Sequence, residues 1–565
     1  MLVLGIHPMG HDTSVSLIKD GKIIFAIEEE RLSKEKHSNN FPHLALKFTL
    51  KKNKIKINDI STIALTHDFD LLIRKRFFEY WSQIYPMNTE RVNYEIKNIL
   101  KIHSLHDIIR NQYNYKNHIY NCRHHYAHFA SAYFTSSFNE SALLSIDGVG
   151  DYESALSGYA IKNCIKLIKE SEICYPHSIG LVYTAITKWL GFKPHCDEGK
   201  TMGLSSYGQK KKFKKIFDEI VIIKPKGKFT INEKFFSYQY KPRSGVSNIF
   251  IDIFGPQRKE NQKLNKLHMN VAAALQEKTE EVLFNSLKYL YKQTNTKNLC
   301  LAGGVALNCV ANAKIFTNTK FKKIRVQPAA GDSGTSLGAA LYWYYCVYNK
   351  RKSHLNINPR TSYFGTNFTN QECLIFLKKN KIKYQIPINI YTHVSKLLFK
   401  KKIIAWFNGR MEFGPRALGN RSIITAPFPS EMKDILNLRV KKRESFRPFA
   451  PTVLEQDQNL YFENFDNSPN MLFAWNVIKN KINIVPAITH VDGTARVQSI
   501  SENDNPELYK LISSFKDLTG VPIILNTSFN IMGQPICHDL NDALETFKKT
   551  SIDFLVLNAK FIISK

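Results

Sequence analysis

The stretch Ala142-Leu143-Leu144-Ser145-Ile146-Asp147-Gly148-Val149-Gly150-Asp151 decides how the chain reads. A short apolar run ends on an aspartate and a glycine-punctuated acidic turn, and a second run continues through Ala155 to Ile161. Runs of this length between Gly and Asp predict strands. The N-terminus has the same plan: Leu2 to Ile6 is apolar, Thr13 to Ile18 alternates, Asp20-Gly21 turns the chain and Lys22 to Ile27 is apolar again. Asp-Gly between two such runs is a hairpin signal. The first two strands are joined by the tight polar loop Pro8-Met9-Gly10-His11-Asp12-Thr13. Two strand–turn–strand units predict a duplicated α/β domain whose hairpins cradle phosphate from opposite sides.

Just upstream lies Arg123-His124-His125-Tyr126-Ala127-His128-Phe129-Ala130-Ser131-Ala132-Tyr133, which has no Gly or Pro and predicts a helix. His124 and His128 fall four apart on one face, where two imidazoles can reach one metal ion. With Asp147 at a strand end and no thiolate nearby, the donor set suits iron or zinc before calcium. Spacing alone favours ordinary surface histidines, since 18 His make chance pairs common.

Further on, Leu299-Cys300-Leu301-Ala302 runs into Gly303-Gly304-Val305-Ala306-Leu307-Asn308 and a helix through Val310 to Lys314, a junction where nucleotide can meet backbone and a helix start. Ala330-Gly331-Asp332-Ser333-Gly334 opens a second Ala-rich helix, and Asp332 can be a fourth metal ligand. Residues 209–265, rich in Lys, Phe and Tyr, read as a peripheral insertion. Composition turns polar near 346–370, giving domains at 1–350 and 371–565 with a linker at 351–370. Beyond it, a buried strand at Ile403–Phe407 leads into Arg- and Gly-rich segments that describe an anion pocket on a mixed sheet, with ion pairs to Glu412 and Glu444 as the alternative for some arginines.

The chain has 565 residues, 43% hydrophobic and 22% charged, which is too long for one core and ordinary for a soluble protein. No apolar run is long enough to span a bilayer and no signal peptide is evident, and nine Cys without a C-x-x-C pair point to a reducing compartment, so a cytoplasmic location without membrane partners is expected. The net charge of +31 comes from lysine scattered along the chain, and no Arg-rich block with interleaved aromatics marks a nucleic-acid groove. Arginine behaves differently: Arg410, Arg416, Arg421, Arg439, Arg443 and Arg447 are six of only 18. Local arginine in a lysine-rich chain points to a bidentate grip on phosphate or carboxylate.

Taken together, H-D-x-S at His11, H-H-x-x-H at His124, D-G-x-G-D at Asp147, D-E-G-K-x-M-G-L at Asp197, L-A-G-G-V-A-L-N at Leu301, G-D-S-G at Gly331, E-F-G-P-R-A-L-G-x-R-S at Glu412, F-R-P-F-A-P at Phe446 and N-T-S-F-N at Asn526 resemble the O-carbamoyltransferases of nodulation-factor, cephamycin and tobramycin biosynthesis. The resemblance spans nearly the whole chain. It implies an N-terminal domain like the threonylcarbamoyl transferases of the actin/hexokinase superfamily, followed by a YrdC-like α/β domain. The second would join carbamoyl phosphate to ATP as carbamoyl adenylate, with Mg2+; the first would move the carbamoyl group to a hydroxyl of a small-molecule or glycan acceptor.

The resemblance also implies roles. His124, His128, Asp147 and Asp332 would hold Fe2+ or another divalent metal, and His11 would act at the acceptor hydroxyl. Lys36, Gly148, Gly303, Gly304, Asn308 and Gly331 would hold nucleotide, and Arg416, Arg421, Lys441, Arg447, Arg496 and Ser528, with Asn526 beside them, carbamoyl phosphate and the adenylate. Ser445 stands where many relatives carry an aromatic. Two other readings share the fold: a tRNA-modifying threonylcarbamoyl-type transferase, and a non-catalytic basic binding protein. The motifs at Phe413 and Phe446 belong to the small-molecule family, and intact metal and anion residues argue against a relic.

Overall fold

The computed structural model describes residues 1–80, 89–241, 245–349 and 359–565. They form two compact units, Met1–Glu29 with His37–Pro359 and Glu30–Lys36 with Arg360–Lys565. Part of the expected linker, 351–358, lies outside the described residues.

The first unit holds two sheets of one design. Strands β1 (Leu2–His7), β2 (Ser14–Lys19), β3 (Lys22–Glu28), β4 (Thr62–Leu65) and β5 (His118–Asn121) lie in the order β3-β2-β1-β4-β5. The first three are antiparallel, and β4 and β5 continue parallel to β1. Lys19 and Lys22 pair across Asp20 and Gly21, whose φ angles are 50° and 76°, as a two-residue I′ turn requires. In the second sheet β6 (Glu140–Ile146), β7 (Glu153–Ile161), β8 (Cys164–Leu167), β9 (Asn298–Ala302) and β10 (Lys323–Val326) run β10-β9-β6-β7-β8, with the same parallel and antiparallel pairings. The hairpin plan is therefore repeated in both sheets, and the second adds the short strand Ile173–Cys174 beside β7.

Two helices join the sheets. Helix α1 (His124–Tyr133) follows β5 yet packs on β6, β7 and β9. Helix α2 (Lys266–Thr294) covers β6 and β7, and α3 (Ser333–Tyr342) follows β10 yet packs on β1 and β2. Helices α1 and α3 lie against each other, and all of α1 except Tyr126 is buried. Small residues allow this: a Cβ at Gly338 would sit 1.7 Å from the Ala127 carbonyl oxygen, so only glycine fits. The surface reading of His124 and His128 fails here, since a helix apolar all round is an interior helix and the two are 2% and 0% exposed.

Segment 209–265 is more than a loop insertion. It contains helices Lys214–Ile220 and Asn248–Phe254 and the hairpin Val221–Ile223 with Phe229–Ile231, and buries Phe217, Phe229, Phe235, Phe250 and Phe254.

The second unit is built on a mixed sheet of β11 (Ile404–Phe407), β12 (Arg421–Thr425), β13 (Ala450–Leu454), β14 (Gln498–Ile500), β15 (Ile523–Ser528), β16 (Phe554–Leu557) and β17 (Phe561–Ser564), in the order β14-β13-β15-β12-β11-β16-β17. Strand β11 is apolar throughout and buried on both faces, as a central strand must be. Helices α4 (Ile390–Phe399) and α5 (Pro506–Thr519) pack together. Glu30–Lys36 joins this unit: buried Arg31 donates to the Gly414 carbonyl at 2.8 Å and Lys34 pairs with Asp542. Among the described residues no helix is long and apolar enough to cross a membrane, and the nine cysteines are free.

Candidate metal centre and anion site

Because α1 and α3 each leave one sheet for the other, their N-termini converge. His124 opens α1, Asp332 precedes α3 and Asp147 ends β6. His128 Nε2 lies 2.8 Å from Asp147 Oδ2 and 3.0 Å from His124 Nε2, and His124 Nε2 lies 3.6 Å from both Asp147 Oδ2 and Asp332 Oδ1. Ligand atoms of all four residues fall within 4.8 Å of one another. Burial works against charge, yet the mutual hydrogen bonds prevail, holding His124 above and Asp147 below their ordinary values. Two imidazole nitrogens and two carboxylates aimed at one buried point fit a divalent ion.

Neighbours brace this centre. His7 Nε2 approaches Asp332 Oδ2 at 3.6 Å while its Nδ1 lies 2.6 Å from Thr66 Oγ1. Asp151 accepts the His124 backbone N–H at 2.8 Å and meets His67 at 3.2 Å. His125, turned away, is pinned between Ser145 Oγ and the Glu153 carbonyl; burial, then His124 and His128, push it down to about 3.

Elsewhere in the same unit, His11 Nδ1 pairs with Asp12 Oδ2 at 2.8 Å, its Nε2 meets the His195 carbonyl, and its ring stacks on His37 at 4.8 Å. Burial opposes charge, but Asp12 prevails and raises His11 well above its ordinary value. With Nδ1 donating to Asp12 and Nε2 to a carbonyl, His11 sits as an imidazolium with no lone pair to offer.

In the second unit, buried Lys441 points Nζ at the Ser528 carbonyl, Ser528 Oγ (3.2 Å), the Asn530 carbonyl (3.1 Å) and Asn530 Oδ1 (2.8 Å). Burial, then Arg443 and Arg447, hold it well below its ordinary value. Burial, Arg447 and Arg496 do the same to Arg443. Crowded cations that depress one another are what an incoming anion relieves.

Family models describe both halves of the chain: the carbamoyltransferase N-terminus matches residues 2–341 and the carbamoyltransferase C-terminus residues 395–565. The chain belongs to the carbamoyltransferase family. Relatives include an uncharacterized protein of Synechocystis sp., 36% identical over 100% of this chain and 96% of its own. The nodulation protein NolNO of Sinorhizobium fredii is 34% identical over 98% of this chain and 79% of its own. The 3'-hydroxymethylcephem-O-carbamoyltransferase of Streptomyces clavuligerus is 26% identical over 99% and 98%. Among solved structures, HypF of T. kodakarensis shares 14% identity over 63% of this chain and 49% of that chain, at a TM-score of 0.31.

Within the chain the residues expected to hold ligands divide. Gly148, Gly303, Gly304 and Gly331 border the metal centre: the Gly148 N–H donates to Asp147 Oδ1 at 2.7 Å, and a Cβ at Gly304 would come within 3.1 Å of that oxygen. Gly303 has φ of 89° and no room for a Cβ against the Ile146 carbonyl. Asn308 caps the helix Cys309–Ala313 and exchanges hydrogen bonds with Gln276, so its amide serves the fold. Lys36 belongs to the second unit, where its charge reaches Lys441. Arg416, Arg447 and Arg496 are half-buried there, and Ser528 contacts Lys441. Arg421 is fully buried, with its guanidinium spent on backbone carbonyls of Asn408, Gly409, Asn420 and Thr366. Asn526 donates to Thr452 and Gln498. Both are tied into the sheet by these bonds. His7, Asp12, His37 and Cys196 had no role in the sequence reading; the only linear signals were a histidine at a buried strand end and an aspartate beside His11.

Proposed function

We propose that this chain is an ATP-dependent O-carbamoyltransferase that makes carbamoyl adenylate from carbamoyl phosphate and ATP in the second unit and passes the carbamoyl group to an acceptor hydroxyl in the first. The observation that carries the reading is the convergence of His124, His128, Asp147 and Asp332 in a chain of this family. The repeated sheet order supports placing the first unit in the actin/hexokinase superfamily, and the YrdC-like assignment of the second goes with the same proposal.

A carbamoyl carbonyl is a poor electrophile because its nitrogen donates into it, and AMP supplies a good leaving group. Lys441, Arg443, Arg447 and Arg496 meet the phosphate charge and stabilise its build-up during adenylation. A divalent ion on His124, His128, Asp147 and Asp332, iron by family resemblance, would neutralise charge on a departing phosphate. Gly148 and Gly331 leave backbone open beside that centre for a nucleotide, and Gly303 and Gly304 let the neighbouring turn pack closely against it. Asp12 orients His11, whose Nε2 must exchange the His195 carbonyl for the acceptor hydroxyl and lose its proton before acting as general base, a contribution of ~10²–10⁴ in rate.

The test is ATP–pyrophosphate exchange by the purified chain. Exchange should require carbamoyl phosphate and vanish in Arg447→Ala, while His11→Ala keeps exchange and loses carbamoylation of hydroxyl acceptors, read as a mass gain. Exchange without carbamoyl phosphate would overturn the reading.

A further inference from the structure

Among the groups of possible metal ligands outside the centre already described, one carries a thiol. His11, His37 and Cys196 bring one ligand atom each within 4.8 Å of the others, and all three are half-buried in the first unit. Asp12 sits behind them as a bridge: Oδ2 takes His11 Nδ1 at 2.8 Å and Oδ1 takes His37 Nδ1 at 2.7 Å. One carboxylate thus fixes the tautomer and tilt of two stacked imidazoles, 24° from coplanar, and turns both Nε2 atoms away from itself. A carboxylate behind each ligating histidine is the usual outer shell of a zinc site. Cys196 completes the cluster, and its backbone neighbour His195 offers His11 a carbonyl.

We infer that His11, His37 and Cys196, oriented by Asp12, form a second metal site that takes a borderline divalent cation, zinc above all. Two imidazoles and a thiolate are zinc's preferred donors, and three protein ligands leave a fourth position open. Tetrahedral zinc sets its ligand atoms about 3.5 Å apart, so the cluster has only to tighten, with His11 Nε2 giving up the His195 carbonyl. The first centre, with no sulfur donor, differs in kind. An ion held by His11 takes the nitrogen assigned above to the acceptor hydroxyl, so zinc and carbamoyl transfer compete; binding itself does not depend on that assignment.

Cobalt(II) distinguishes the two sites, because only thiolate ligation gives a near-ultraviolet sulfur-to-cobalt charge-transfer band. The full chain, stripped with a chelator and titrated with Co2+, should develop that band to saturation within two equivalents, one for each site. Cys196→Ser should lose it, and His124→Ala should keep it. A readout that needs no variant is alkylation of wild-type protein with peptide mapping: at zinc ten times its dissociation constant, modification of Cys196 should slow about tenfold. Absence of the band, its survival in Cys196→Ser, or unprotected Cys196 at saturating zinc would each overturn the assignment.

Discussion

Arg421→Met separates a structural arginine from a ligand-binding one. The guanidinium donates to Asn408 O at 2.6 Å, Gly409 O at 3.2 Å, Asn420 O at 3.0 Å and Thr366 O at 3.0 Å, and lies 3.7 Å over the Phe407 ring. Two of these acceptors keep a second partner, since Asn420 O also takes the Asn408 N–H and Thr366 O the Met411 N–H. Among the described residues, Asn408 O and Gly409 O depend on Arg421. At ~1–3 kcal/mol for the stranded buried acceptor at Asn408 and somewhat less for the half-buried one at Gly409, the variant loses ~2–5 kcal/mol, with methionine filling most of the space. At a urea slope of ~2 kcal/mol/M, a loss of ~4 kcal/mol moves the second unit's midpoint down by ~2 M. The readout is urea unfolding followed by hydrogen exchange across 404–425, alongside exchange activity of the folded fraction at low urea. Carbamoyl-phosphate dependence in that fraction should stay within about threefold of wild type. A midpoint within ~0.3 M of wild type, with exchange abolished, would show that Arg421 meets the anion and refute the structural assignment.

Lys441→Met removes a cation whose neighbours are Arg443 and Arg447. Losing one charged hydrogen bond of ~1.5–3 kcal/mol should weaken carbamoyl phosphate about 10–150-fold in the exchange assay, and a change under twofold would exclude Lys441 from the anion site. His128→Ala should cost one equivalent of bound divalent metal by mass spectrometry, because its Nε2 lies within 3.0 Å of both His124 and Asp147 donors; unchanged metal content would rule the centre out. Acid should loosen the second unit through His538, which burial and then Lys34 push down to about 3 from 6.5. A histidine with a depressed folded pKa gives stability that is complete above 6.5 and drains away as pH falls, amounting to about 3 kcal/mol by pH 4. His538→Gln should flatten the stability profile between pH 6.5 and 4, and parallel profiles would remove His538 as the cause.

Local chemistry made much of the fold legible. Asp20-Gly21 dictated a hairpin because both residues tolerate positive φ, and the apolar run at Ala142–Ile146 ended where Asp147 and Gly148 could no longer be buried in a strand. Residues 209–265 were harder to read, because their aromatic core forms between short elements whose periodicity is too brief to register. Arginine clustering at 410–447 pointed to a candidate anion site, yet the same residue type served two ends. Sequence cannot tell Arg421, enclosed by carbonyls, from Arg447, because the difference lies in what surrounds each guanidinium.

By itself the sequence determined the two repeated hairpins, the helix bearing His124 and His128, and membership in a family of known chemistry. Only the tertiary structure decided that this helix is interior, that Lys36 belongs with the second unit, and that Asp12 braces His11 and His37 toward Cys196. The reason is geometric. A turn or a helix is set by neighbours in the chain, whereas a site gathers residues as much as 208 positions apart, and only the crossing of α1 and α3 between two sheets brings His124 to Asp332.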